Sequence, residues 1–271
     1  MLKRIGSLII FLLLFVVPVH ANTIESVEMW VDIQNNGSAN IKEVWEINIT
    51  NGANTEWYAA KHNLDNMDIE NLVVAEIAAD GSIIQFETLP DWNVKASREE
   101  KAGKCGLLQA NGGYEVCWGF GTLGHHKYII TYTITNLVKG YQGGDAMCYN
   151  FLSEAAGGAD KLNIYLILND APMEFPQTRV WVYGFKAQSE FKDDGISVLS
   201  QGRFSQSDYA TVLLAFDPGI LSPADLRSET LEDIIALNMS GSIWENESRP
   251  LPSATARPSS SSRTTVLHLS L

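Results

Sequence analysis

Few residues in this sequence could carry chemistry, and they are scattered. Three are cysteines, Cys105, Cys117 and Cys148. An odd number leaves at least one thiol without an intrachain partner. Cys105 precedes the strand that holds Cys117, so a disulfide between them would close a short loop and contribute about 3 kcal/mol through loop entropy. Three reduced thiols are the alternative. No C-x-x-C pair occurs, so a structural zinc site is not expected. His125 and His126 are adjacent and point apart in an extended chain, which makes a shared metal ion awkward; a solvated turn is expected there. His62 stands alone in a polar loop and reads as a plain loop residue. Asp65, Asp68, Glu99 and Glu100 are the carboxylates a glycosidase could draw on, since that chemistry needs two carboxyl groups held across a cleft. Polar loops usually hold such residues as solvated charge, and the doublet Asp193-Asp194 reads the same way.

The sequence lacks the short motifs that would turn these residues into a reaction. It has no G-x-S-x-G elbow, no H-E-x-x-H and no phosphate-cradling glycine loop ending in Lys-Ser or Lys-Thr. No acidic loop has the EF-hand spacing for calcium. No catalytic residue, metal or cofactor is therefore assigned, and the expectation is a protein that is not an enzyme.

Composition narrows the classes further. The 271 residues include 19 Lys+Arg and 32 Asp+Glu, a net charge of −13. Such a chain does not neutralise phosphates, so general nucleic-acid binding is excluded. Hydrophobic residues make up 45% and charged residues 19%, a globular balance that excludes wholesale disorder. Setting aside Lys3, Arg4 and the arginines after residue 248 leaves the body more acidic still, which favours a soluble surface.

The two ends differ from the body. Lys3 and Arg4 precede an unbroken apolar run from Leu8 to Val17, broken by Pro18 and followed by Val19-His20-Ala21. That is a secretory signal, with cleavage expected after Ala21 to leave Asn22 first. The run is about half the roughly 20 residues a bilayer-spanning helix needs. If uncleaved, it would act as a tether. The expected divisions are a signal peptide over 1–21, an extracytoplasmic β-sandwich over 22–240 and a disordered Ser/Pro/Arg-rich tail over 241–271. No second apolar run of membrane length follows, so the mature chain as written is expected to lack a membrane span.

Between the ends, period-two alternation dominates. Val27, Met29, Val31 and Ile33 share one face. Asn35-Asn36-Gly37 then turns the chain, because Asn and Gly tolerate positive φ. Ile41, Trp45, Ile47 and Ile49 alternate next. Asp80-Gly81 marks a second hairpin between Leu72–Ile77 and Ser82–Phe86. Tyr114 to Phe120, Tyr128 to Ile134, Leu162 to Leu168, Val180 to Tyr183 and Tyr209 to Phe216 add strands, for nine or ten in all. Thr230 can cap a helix with Asp233 three residues on, and Leu231, Ile234 and Ile235 make its apolar stripe. Ser222 to Asp225 is a second possible helix start. Many short strands imply an all-β fold, an immunoglobulin-like antiparallel sandwich. Two long irregular connections, 51–68 and 89–113, are the places where such a fold could carry function. Trp45 and Trp118 belong to the core; Trp30, Trp57, Trp92 and Trp181 are expected to be covered by neighbouring structure rather than left open to stack on sugars.

Several of these segments together resemble a known family. VDIQNNGSANIKEVWEI (31–47), LPDW (89–92), KAGKCG (101–106), YEVCWGFG (114–121), HKYIITYTITNLV (126–138) and WVYGF (181–185) follow one another as in the N-terminal domain of the bacterial predicted membrane proteins called domain of unknown function 2207 (DUF2207). The resemblance covers roughly Ile24 to Leu237. It implies a signal-led, extracytoplasmic, β-rich domain, normally followed by a membrane-spanning segment, and it supplies no catalytic residue. LEDIIALNMSGSIWENE (231–247) resembles the approach to the membrane, but a Ser/Pro/Arg stretch follows. Either the protein is released, or the reading frame changes near Ser248. The leading expectation is an exported, non-catalytic binding module that meets an envelope protein or glycan. Two others are an envelope carbohydrate-active enzyme with its site in the 51–68 and 89–113 connections, and a surface adhesin or scaffold.

Overall fold

The computed structural model describes residues 22–169 and 171–240. The expected signal peptide 1–21, Ala21 of the cleavage point and the expected tail 241–271 lie outside the described residues. In chain order the strands begin with β1 (Thr23–Ile33), β2 (Ala39–Ile49), β3 (Trp57–Lys61), β4 (Ile69–Ile77), β5 (Ile83–Gln85) and β6 (Glu87–Leu89). A single helical turn, α1 (Arg98–Lys101), leads to β7 (Lys104–Ala110), β8 (Gly113–Trp118), β9 (Gly124–Ile134), β10 (Lys139–Gln142) and β11 (Gly144–Leu152). Then come β12 (Lys161–Leu168), β13 (Thr178–Tyr183), β14 (Ala187–Lys192), β15 (Gly195–Ser200), β16 (Ala210–Phe216), β17 (Leu226–Thr230) and helix α2 (Leu231–Ser240).

The strands form three sheets. The largest has eight, in the order β14-β15-β12-β1-β2-β9-β4-β5. A five-stranded sheet runs β13-β16-β11-β10-β17, and a four-stranded one runs β3-β8-β7-β6. One hydrophobic core joins the inner faces of all three: Val27 and Trp45 from the large sheet, Val116 and Trp118 from the four-stranded sheet, Phe151 and Leu214 from the five-stranded sheet. The large sheet is thus one layer, and the two smaller sheets share the layer opposite. Trp118 meets Trp45 and Tyr128 edge-on, with ring centres 5.9 and 5.7 Å apart.

The all-β, sandwich-like architecture is the one the alternation implied. It is not purely antiparallel, because β1–β12, β6–β7 and β10–β17 pair in parallel. A parallel neighbour needs a long crossover, and the chain makes the first of these by building β2 to β11 before it returns to β1. The two long connections are also more ordered than expected. Each contains a strand, β3 in one and β7 in the other, and both strands pair with β8.

The local signals explain the elements. Gly37 takes φ +83° and donates its N–H to Gln34 O, closing the β1–β2 turn. Asn22, the expected new N-terminus, accepts the N–H groups of Thr50 and Asn51 at 2.9 and 2.8 Å, tying the start of β1 to the end of β2. Helix α2 begins as predicted, with Thr230 Oγ1 accepting the N–H of Asp233. The second expected helix start does not form one. Ser222 and Ala224 donate instead to Asn35 O and Asn36 O in the β1–β2 turn, and the chain continues into β17.

Candidate functional site

Two polar regions adjoin at the consecutive residues Lys61 and His62 and differ in kind. The first is sealed at the junction of the sheets. Glu43 is in phase with Ile41 and Trp45 on β2, so the pleat carries it into the core. It is 0% exposed and meets Lys61 of β3, 1% exposed, at 2.7 Å. Trp45 Nε1 donates to the other carboxylate oxygen at 2.7 Å, and the Tyr132 hydroxyl donates to Glu43 as well. Lys61 Nζ also donates to Phe151 O at 3.1 Å. Burial first, then the Glu43 charge, holds the Tyr132 phenol well above its ordinary pKa, so it stays a donor. A buried ion pair is tolerable only when its remaining lone pairs and protons are met in this way. Gly113 lets the backbones of β8 and β3 approach closely at Lys61, because a Cβ there would overlap the Lys61 carbonyl.

The second region is open. On the outer face of the five-stranded sheet, strand register sets side chains in rows across β11, β16 and β13: Ala146–Ala215–Arg179, Cys148–Leu213–Trp181 and Asn150–Thr211–Tyr183. Helix α2 covers the first row, packing Leu231 and Ile235 on Ala146 and Ala215. Its Asn238 reaches the second row, where Cys148 Sγ donates to Asn238 Oδ1 at 3.1 Å. The third row is polar and borders a recess of about 400 Å³. Asn150, Thr211 and Cys148 form its floor; His62, Ser153, Glu154 and Tyr209 stand around it.

Polar groups at this recess are incompletely satisfied. His62 Nε2 and Asn150 Oδ1 are shielded from solvent without a hydrogen-bond partner among the described residues, and so is the Tyr183 hydroxyl in the same row. Each such group costs about 1–3 kcal/mol. Tyr209 is 37% exposed. It is brought in by Gly184, which takes φ +88° and leaves no room for a Cβ beside the Tyr209 carbonyl and ring. Cys148 is itself exposed, yet the protein around its sulfur pushes the thiol up to about 11. A thiol so rarely ionised is a poor nucleophile. The recess can hydrogen-bond and stack.

The residues singled out from the sequence are dispersed. Asp65 joins Lys139 at 2.9 Å and Arg227 at 3.1 Å, and Arg227 also grips Asp225, linking the loop after β3 to β10 and β17. Asp68 Oδ1 accepts the N–H of Ile69 at the start of β4. Glu100 closes a capping box with Ser97 on α1, and Glu99 sits in the same turn. Among the described residues, Asp65, Asp68 and the α1 glutamates share no hydrogen-bond partner, and none borders the recess.

The possible Cys105–Cys117 disulfide is not formed; both thiols are buried and free. The register explains why. Cys105 lies opposite Trp118, whereas Cys117 lies opposite Gly106, so the two thiols face opposite sides of the sheet. Burial raises the pKa of both.

The histidines are not in a solvated turn. Both belong to β9, with His125 71% exposed beside Glu25 at 2.8 Å. His126 is buried, with Nδ1 2.7 Å from Glu76 and Nε2 3.0 Å from Thr122 O. Both nitrogens face acceptors, so the imidazolium fits best, and the Glu76 hydrogen bond raises its pKa.

The tryptophans among the described residues are largely covered. Trp92 donates to Glu56 at 2.7 Å beneath Lys101. Trp30 is sandwiched between Tyr165 and Lys42. Among the described residues no helix is long and apolar enough to cross a membrane, and no group of His, Cys, Asp or Glu is placed to hold a metal ion.

Comparisons with known proteins give a family. No curated protein matches the chain. Several solved structures are similar over part of their length. A Parabacteroides distasonis protein assigned as a protease is 14% identical, with a TM-score of 0.43 over 73% of this chain and 40% of its own. Yeast LTA4 hydrolase in complex with bestatin is 7% identical, with a TM-score of 0.41 over 72% of this chain and 29% of its own. An M1 zinc metallopeptidase from Deinococcus radiodurans is 8% identical, with a TM-score of 0.36 over 71% and 42%. The chain therefore spans less than half the length of each. The family match is of another order: residues 23–216, from the first strand to the end of β16, fit one model throughout, and the chain belongs to the family described as the N-terminal domain of predicted membrane protein DUF2207.

Proposed function

We propose that this domain is a non-catalytic binding module of the bacterial cell envelope, with its ligand seat in the recess on the outer face of the five-stranded sheet. The observation that carries this reading is the pair of unpartnered groups, His62 Nε2 and Asn150 Oδ1, on residues that border one recess of about 400 Å³. Buried polar groups are ordinarily satisfied. A ligand that engages them, after a small turn of either side chain, recovers hydrogen bonds the folded protein leaves unmade. The volume lies in the range of small-ligand sites. The family's description as a predicted membrane protein supports placement at the envelope, and the signal-like start of the sequence supports export.

The test is co-sedimentation of the full chain with cell-wall and envelope-membrane preparations, alongside an assay for released sugars or peptides. Retention without turnover, lost in Thr211→Trp, is expected. Turnover, or retention indifferent to Thr211→Trp, contradicts the reading. Recovery of the protein from cytoplasm with Met1 intact contradicts the export.

A further inference from the structure

We infer that the ligand of this recess is a neutral saccharide unit, seated against the Tyr209 ring and hydrogen-bonded by Asn150, Thr211 and His62. The inference rests on the proposed binding role and names its substrate class. Charge selects against anions: neither Lys nor Arg borders the recess, Glu154 does, and the whole chain carries −13. An anionic ligand would meet repulsion and find no cation to replace its water.

The polar groups present are those that suit hydroxyls. An amide, a threonine hydroxyl, a serine hydroxyl and an imidazole each donate and accept, as a sugar hydroxyl also does. Tyr209 adds an apolar face with a polar tip, and it is held at the rim by the close approach to Gly184. Sugar rings present C–H faces to aromatic rings and hydroxyls at their edges, which matches one tyrosine beside a polar floor. An extended peptide is the weaker fit. The rows nearest the helix are already covered by α2, so the recess is short along the sheet rather than a continuous groove.

The test is isothermal titration calorimetry of the full chain with di-N-acetylchitobiose and cellobiose as neutral probes, and N-acetylneuraminic acid as the anionic probe. Saturable binding of at least one neutral probe is expected, with the anionic probe at least tenfold weaker. Tyr209→Ala should weaken the neutral probe about tenfold, as loss of one aromatic contact implies. Thr211→Trp should abolish it while the melting temperature is kept. Absence of neutral-probe binding, equal binding of the anion, or binding unaffected by Thr211→Trp overturns the saccharide assignment. If envelope retention is lost in Thr211→Trp but no sugar binds, the recess stands as a ligand seat and only the ligand class falls. If retention itself ignores Thr211→Trp, the underlying reading falls.

Discussion

Lys61 and His62 are consecutive residues at the end of β3, and they enter opposite environments. Lys61 turns into the core, where Glu43 and Phe151 O meet its ammonium and Tyr132 and Trp45 meet its partner's carboxylate. His62 borders the outer recess, where its Nε2 has no partner among the described residues. The contrast separates two meanings of a polar group in a β-sandwich. A buried cluster whose charges are partnered ties the sheets together, because Glu43, Lys61 and Tyr132 come from β2, β3 and β9 and meet in the core. An unsaturated cluster beside open volume has interactions left to make with something else. Burial alone ranks Glu43 and Lys61 as the more conspicuous site; among the described residues Trp118, Tyr128, Asn163 and Arg179 also carry unpartnered buried atoms, and what distinguishes His62 and Asn150 is that they border open volume.

The largest break in this contrast comes from the sealed side. Glu43→Gln leaves Lys61 as a buried charge without a counter-ion and should cost about 3–5 kcal/mol. In a domain of this size that lowers the melting temperature by about 10 °C, as calorimetry would show. A loss below about 1 kcal/mol would mean that Lys61 escapes to water and the pair does not fix the junction. Thr230→Ala removes the cap of α2 and should cost about 1 kcal/mol in urea denaturation, with faster hydrogen exchange in that helix. Loosening this cover should leave the Asn150–Thr211–Tyr183 row as it is, and so should leave ligand retention unchanged.

His126 supplies a smaller and graded effect. Its pKa is raised in the folded state by Glu76, so its contribution is fully present below the unfolded value of about 6.5 and is lost as pH rises through the folded value. Denaturation midpoints measured from pH 6 to 9 should fall with pH, and His126→Gln should flatten that fall. The smallest effect is none at all. A reductant should leave the melting temperature unchanged, and alkylation in denaturant without prior reduction should label Cys105, Cys117 and Cys148. A reductant-sensitive melting point would contradict the opposite-face placement of Cys105 and Cys117.

Much of the large sheet was legible because alternation reports burial directly. The alternation puts Val27, Met29, Val31, Ile33, Ile41, Trp45, Ile47 and Ile49 on buried faces, and all are under 3% exposed. The β1–β2 and β4–β5 turns were marked by Asn-Gly and Asp-Gly for reasons of φ, and α2 by its cap. Pairing was not legible. Nothing local to Leu162–Leu168 says that it lies parallel to β1, since that contact is set by where the chain returns. The irregular connections hid β3 and β7 because their apolar residues serve a small sheet packed on one side only.

The candidate site was hidden for two further reasons. Glu43 was readable, since it falls in phase with Ile41 and Trp45, but a lone acid in an apolar register looks like an interruption until its partner on β3 is known. Asn150 and Thr211 belong to strands with mostly apolar neighbours, and their shared row exists only through the pairing of β11 with β16. His62 reads from sequence as a plain loop residue because its distinguishing feature, a missing hydrogen-bond partner among the described residues, is not a property of sequence.

The most direct test of the contrast measures stability and envelope retention on the same two variants, Glu43→Gln and Thr211→Trp. Thr211→Trp should keep the wild-type melting temperature and lose retention, whereas Glu43→Gln should lose stability yet retain ligand at temperatures where it remains folded. If filling the recess leaves retention intact, or if folded Glu43→Gln loses retention, the open row is not the ligand seat and the division between the two regions is wrong.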